Sequence, residues 1–133
     1  MGKIKKREVK ITKPCTNCFS PKYLKFNFSF ITFDESNKDD KAQLIKRIME
    51  ISKEPYIVVA SWGKEIGFEN VKVNISKQIN PNFEDRNRRF DGKYTIMRLY
   101  TNNNPTPGRI IGKLINHIFY IFYIDPKGEL YNH

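Results

Sequence analysis

Cysteine is almost missing from this chain. Among 133 residues there are two, Cys15 and Cys18, in a single Cys-x-x-Cys pair. Two thiols so close together cannot build the disulfide framework of a small secreted domain. Structural zinc takes four ligands, and no second Cys-x-x-Cys or His-x-x-x-His follows. Cys15 and Cys18 could hold a metal only with distant histidines or a second chain, and free thiols are the expectation. Histidine is just as scarce, at His117 and His133. No run approaches the eighteen or so apolar residues of a membrane span. The start lacks the apolar stretch of a signal peptide, and Lys6 stands where a myristoylation site would carry Ser or Thr. A cytoplasmic protein with no membrane partner is expected. Gly63-x-x-x-Gly67 lacks the Lys-Ser/Thr of a phosphate-binding loop. Glu69 has no second carboxylate at a readable spacing, which leaves paired-carboxylate catalysis without support.

Basic residues are abundant. The net charge is +10, from 24 Lys and Arg against 14 Asp and Glu. Its placement matters more than its size. Lys3, Lys5, Lys6, Arg7, Lys10, Lys13 and Lys22 face only Glu8 in the first 22 residues, so six of the ten net charges lie there. The pattern predicts a basic, flexible arm over residues 1–21 and one domain over 22–133. Lys5, Lys6 and Arg7 are its candidate contacts to phosphates. The chain as a whole is 39% apolar and 14% aromatic, enough for a folded core.

From Tyr23 the pattern changes. Leu24, Phe26, Phe28 and Phe30 alternate with polar residues, predicting a half-buried strand to about Phe33. Asp40-Lys-Ala-Gln43 has the form of a capping box. Leu44, Ile45, Ile48, Met49 and Ile51 follow at helical spacing, with Lys41, Lys46, Arg47 and Glu50 on the solvent side. A helix over 40–52 is expected. Residues 55–62 fit a strand by β-branched content and a helix by the leading Pro55. Val71, Val73 and Ile75 alternate as a short strand, 76–93 read as a long polar loop, and Tyr94 to Thr101 as another strand. Asn116-His117, a pair that tolerates left-handed conformations, separates two apolar runs, predicting a terminal hairpin. The second run is apolar on both sides from Ile118 to Ile124, as a central strand should be. The fold class is therefore α+β: an antiparallel meander with one or two helices on one face. Phe28, Phe30, Leu44, Ile48, Phe119, Ile121 and Phe122 are expected in one core.

Several of these segments resemble a group of small, mostly uncharacterised bacterial proteins. The matching stretches are Leu44 to Ser52, Trp62, Ile66-Gly67-Phe68-Glu69-Asn70-Val71, Gly108-Arg109-Ile110-Ile111-Gly112 and Phe119 to Tyr131, with Lys64 where the group has His. The group closes on a Gly-Arg-Val-x-Gly-Phe motif followed by Phe-Tyr-Ile-x-x-Ile-Asp-Pro and Leu-Tyr. The resemblance covers about 22–133 and leaves out the arm. Members look like distant relatives of the RelE/ParE toxins, which share a helical hairpin followed by an antiparallel meander. That likeness implies a small toxin acting on RNA or the ribosome, paired with an antitoxin, with no cofactor.

Cleaving RNA without a metal needs a base for the 2′-hydroxyl, an acid for the leaving oxygen and cations for the phosphate. The candidates are Arg98, Arg109, Lys113, Tyr131 and His133, with Tyr120 and Tyr123 as stacking platforms. Arg86, Arg88 and Arg89, in the dense Asp85–Arg89 cluster, are candidate nucleic-acid contacts, or else a solvated loop. His117, in the hairpin turn, is expected to be solvated. The competing class is a non-enzymatic interaction module of a mobile element, binding a protein partner and carrying a nucleic-acid-binding arm.

Overall fold

In chain order the secondary structure is β1 (Lys25–Asn27), α1 (Lys38–Ser52), α2 (Tyr56–Ala60), β2 (Phe68–Val71), β3 (Tyr94–Arg98), β4 (Arg109–Ile115) and β5 (Ile118–Asp125). The computed structural model describes residues 21–32, 38–75, 77–101 and 108–130. The strands form one sheet in the order β1-β5-β4-β3-β2. From β2 to β5 it is an antiparallel meander, as expected. The first strand departs from that scheme and pairs parallel to β5, Phe26 opposite Phe119. A parallel pair needs a long crossover, and here the helices and three strands lie between its members. The fold is α+β with a mixed, mostly antiparallel sheet.

Asn116 and His117 close the hairpin with φ of 52° and 67°, the left-handed pair of a type I′ turn. Strand β5 lies between β1 and β4 and is buried from Phe119 to Asp125, so the two-sided apolar run did mark an inner strand. Its alternation breaks once. Ile111 faces Tyr123 while Gly112 faces Ile121, which leaves Phe122 unopposed in a bulge. The Phe122 carbonyl instead accepts the amide of Thr32 at 2.9 Å.

The first strand is shorter than the Phe alternation predicts. Asn27 Oδ1 accepts the Ser29 amide at 2.9 Å, and this Asx turn ends the strand. Phe28 is consequently 42% exposed. Phe30 crosses to the other face and packs on Phe83 and Tyr120, 5.5 and 6.0 Å between ring centroids. The expected single core is two clusters, one on each face of the sheet. Leu44, Ile51, Val59, Met97, Leu99, Ile110, Phe119 and Ile121 belong to the helix side. Phe83, Tyr94, Ile96, Ile111, Tyr120, Phe122 and Tyr123 form the other.

Residues 55–62 resolve as a helix. Pro55, at φ −57° and ψ 150°, precedes the first turn and its carbonyl accepts the amides of Val58 and Val59. In α1 the buried positions are Asp40, Leu44, Arg47 and Ile51, spaced four, three and four apart as one helical face demands. The face is rotated from the one expected, and Ile45 and Met49 are 52% and 58% exposed. Asp40 is not the residue before the helix. It sits in the first turn and accepts the Tyr100 hydroxyl at 2.9 Å.

Residues 77–93, within the predicted 76–93 loop, are irregular but far from a solvated loop. Phe83 is fully buried and meets Phe122 edge-on at 4.9 Å. This segment is what covers the second face of β5. Tyr123 donates its hydroxyl to the Gln78 carbonyl, and burial pushes its pKa up to about 12. Tyr94 is raised for the same reason. A raised phenol favours folding fully below the unfolded value near 10 and loses that contribution as pH climbs toward the folded one. Full ionisation of Tyr123 should remove roughly 2–3 kcal/mol. Urea midpoints at about pH 9 and about pH 11.5 should therefore differ more for the parent than for Tyr123→Phe.

Candidate functional site

Strand pairing assembles the site. Thr95, Met97, Gly112 and Ile110 turn toward the helices, so Ile96, Arg98, Arg109 and Ile111 share the opposite face. Arg98 and Arg109 are direct partners across β3 and β4. Directly opposed side chains have Cβ atoms about 5 Å apart, and like charges there repel. On the neighbouring strand Glu69 faces Ile96, which makes it the diagonal neighbour of Arg98, about 7–8 Å away between Cβ atoms. Lys64 comes from the turn just before β2. Together Lys64, Glu69, Ile96, Arg98 and Arg109 line an open cleft of about 350 Å³.

The surroundings are rigid. The turn that carries Lys64 is closed by the Ile66 and Gly67 amides, which both donate to the Gly63 carbonyl at 3.1 and 2.7 Å. A Cβ on Gly67 would come 2.9 Å from that of Trp62, so only glycine fits there. On the far side, Asp125 is the strand partner of Arg109 and is 4% exposed. Its carboxylate accepts the amides of Glu129 and Leu130 at 2.9 and 3.0 Å. These bonds hold Glu129 and Leu130 against the end of β5.

The structure sorts the sequence candidates sharply. Arg98 and Arg109 come together. Lys113 does not join them: it lies four residues along β4, about 13 Å away. There it is 8% exposed and donates to Asp91 at 2.6 Å and to the Lys93 carbonyl at 2.8 Å. Its ammonium holds the Asp91 carboxyl below the usual range, chiefly through that hydrogen bond. Lys113 is thus a structural cation. Tyr120 and Tyr123 are 7% and 4% exposed, core residues rather than stacking platforms. Arg88 is absorbed by the cover. It lies 5.1 to 5.6 Å over the rings of Phe30, Phe83 and Tyr120, donates to the Phe83 carbonyl at 2.6 Å and pairs with Asp85 at 2.8 Å. Arg86 and Arg89 remain exposed. His117 is half-buried, its ring edge-on to Tyr56 at 4.6 Å, so it is not merely solvated. Tyr131, His133, Lys5, Lys6, Arg7, Cys15 and Cys18 lie outside the described residues.

Glu69 and Lys64 were not among the candidates. The signal that could have found Glu69 is the β2–β3 register, which no local pattern encodes. Among the described residues no group of three or more His, Cys, Asp or Glu could hold a metal, and no helix is long and apolar enough to cross a membrane. Comparison with protein-family models, with curated proteins and with solved structures returns no match.

Proposed function

We propose that this protein is a RelE-like toxin that cleaves RNA in the cleft between β2, β3 and β4. The observation that carries the reading is the cross-strand pair Arg98 and Arg109 with Glu69 diagonal to it. Arginines at directly opposed positions of neighbouring strands concentrate positive charge where an anion can lie. A phosphodiester fits because each planar fork can take a non-bridging oxygen. Segments that resemble the bacterial group supply these residues, Glu69 from Gly67-Phe68-Glu69 and Arg109 from Gly108-Arg109. The layout of β1, two helices and a meander from β2 to β5 agrees with the fold which that likeness implies.

In the proposed reaction, Glu69 takes the proton of an RNA 2′-hydroxyl. The 2′-oxygen bonds to phosphorus, and Arg98 and Arg109 stabilise the charge that builds on the non-bridging oxygens. The bond from phosphorus to the 5′-oxygen breaks, and that oxygen takes a proton from Lys64 or water. The products are a 2′,3′-cyclic phosphate and a 5′-hydroxyl.

A toxin of this kind acts on RNA or the ribosome and is held in check by an antitoxin. The outer face of the helices suits an acidic amphipathic segment: Ile45, Met49 and Ile57 are 52%, 58% and 77% exposed, beside exposed Lys46 and Lys53. The same apolar residues favour the second reading, an interaction module without catalysis. Expression in a bacterial host separates the two. The parent should arrest growth, and Arg109→Ala should relieve the arrest while still folding. Full tolerance of the parent, with no RNA cleaved in a translating extract, would favour the interaction module.

A further inference from the structure

Among the described residues Arg47 is the most deeply buried charge, 2% exposed on the core side of α1. Neither strand pairing nor the cleft lining includes it. Its guanidinium spans three acceptors: Nε donates to the Arg98 carbonyl at 2.9 Å, Nη2 to the Ile66 carbonyl at 3.0 Å and Nη1 to Glu50 at 3.1 Å. The first two lie on the segments that border the cleft. The Arg98 carbonyl is at the end of β3, where the cleft arginine departs from the backbone. The Ile66 carbonyl belongs to the Gly63–Gly67 turn that carries Lys64 and leads into Glu69. Nearby, Gln43 donates to the Leu99 carbonyl at 2.9 Å, so α1 grips the end of β3 at two successive carbonyls.

We propose that Arg47 is a positioning residue that fixes the spacing between Arg98 and the Lys64–Glu69 segment from beneath the sheet. The assignment rests on the cleft reading given above. Buried guanidinium is costly unless its donors are matched, and a fold that needed only packing here could use an aliphatic residue. The rigid fork reaches two backbone carbonyls on separate segments while Glu50 balances its charge. Lysine, a point donor on a flexible stem, cannot hold both carbonyls in the same geometry. Catalysis by paired charges is sensitive to such spacing, because a misplacement of about 1 Å can cost on the order of a hundredfold in rate.

The test uses the full chain and two measurements. One is equilibrium binding of a short oligoribonucleotide made uncleavable by a 2′-deoxy sugar at the scissile position. The other is single-turnover cleavage of the all-ribose strand. Arg47→Lys should melt cooperatively, bind about 10-fold more weakly and cleave about 10- to 100-fold more slowly. Its amide NMR shifts should move at Gly67 and Leu99, while Ala42→Ser, at an exposed position of the same helix, matches the parent throughout. If Arg47→Lys fails to fold, Glu50→Gln loosens the same guanidinium from a site outside the cleft. It should slow cleavage about 2- to 5-fold with an unchanged melting temperature. Folded Arg47→Lys, or Glu50→Gln in its place, that binds and cleaves like the parent overturns the assignment. A parent that neither binds nor cleaves removes the cleft reading itself, and the positioning role with it.

Discussion

Gly112→Ala is expected to abolish folding or to lower the melting temperature by roughly 10 °C or more, the largest stability effect of any single methyl group in this chain. Gly112 sits at the bulge, opposite Ile121 across the β4–β5 pair. A Cβ there would drive into the backbone carbonyl of Tyr120 and the ring of Phe119. Neither obstacle can yield. Phe119 is fully buried in the helix-side core, and the Tyr120 carbonyl belongs to the inner strand. Overpacking usually costs about 1–3 kcal/mol where a side chain can rotate away; a backbone obstacle in a central strand puts this substitution at or above the top of that range. Thermal unfolding followed by circular dichroism measures it. A melting temperature within about 2 °C of the parent would show that β4 and β5 do not approach so closely.

Glu69→Gln should lower the cleavage rate by about 100- to 10,000-fold, the usual contribution of a general base. The variant keeps the shape of the side chain and removes its negative charge and its ability to accept a proton. Glu69 lies at the rim of the sheet, partly exposed on strand β2, so the melting temperature should stay near that of the parent. Binding of an uncleavable strand should weaken little, since the proposed reaction assigns the phosphate to the arginines. The split between rate and affinity separates a base from a structural carboxylate. Equal losses in both would assign Glu69 to folding or to binding instead.

What the sequence made legible follows from which forces are local. Helix α1, the Asn116-His117 turn and the inner strand β5 are governed by spacing along the chain, and all three were readable. The phase of α1 is not legible from charge, because a charged residue occupies its buried face. Arg47 lies on the buried side because the carbonyls of Arg98 and Ile66, 51 and 19 residues away, are there to receive it. The bulge at Phe122 depends on a pairing between strands, so simple alternation could not show it. The loop over the second face hid its role in one residue, Phe83, set among polar neighbours.

The site divides in the same way. Arg98 and Arg109 were readable as strand residues of a basic sheet, and the β3–β4 register makes them partners. Lys113 carries the same charge on the same strand face, yet it is buried on Asp91 and the Lys93 carbonyl. Glu69 reads from the sequence as a strand-entry position, while the alternation of Val71, Val73 and Ile75 sets the strand itself too late. The strand runs from Phe68 to Val71, with Phe68 stacked on Tyr56 at 6.1 Å and Thr95 donating to Asn70 at 2.7 Å. Those partners are distant in sequence, and with them the carboxylate enters the cleft.

The most direct measurement of the central claim is the chemistry of the RNA ends left by the purified protein in a translating extract. Fragments should carry 2′,3′-cyclic phosphate and 5′-hydroxyl ends, disappear when the scissile sugar is 2′-deoxy, and be lost in both Glu69→Gln and Arg109→Ala. No fragments from the parent, or the same fragments from either variant, would contradict a cleft in which Glu69 takes the proton and Arg98 and Arg109 hold the phosphate.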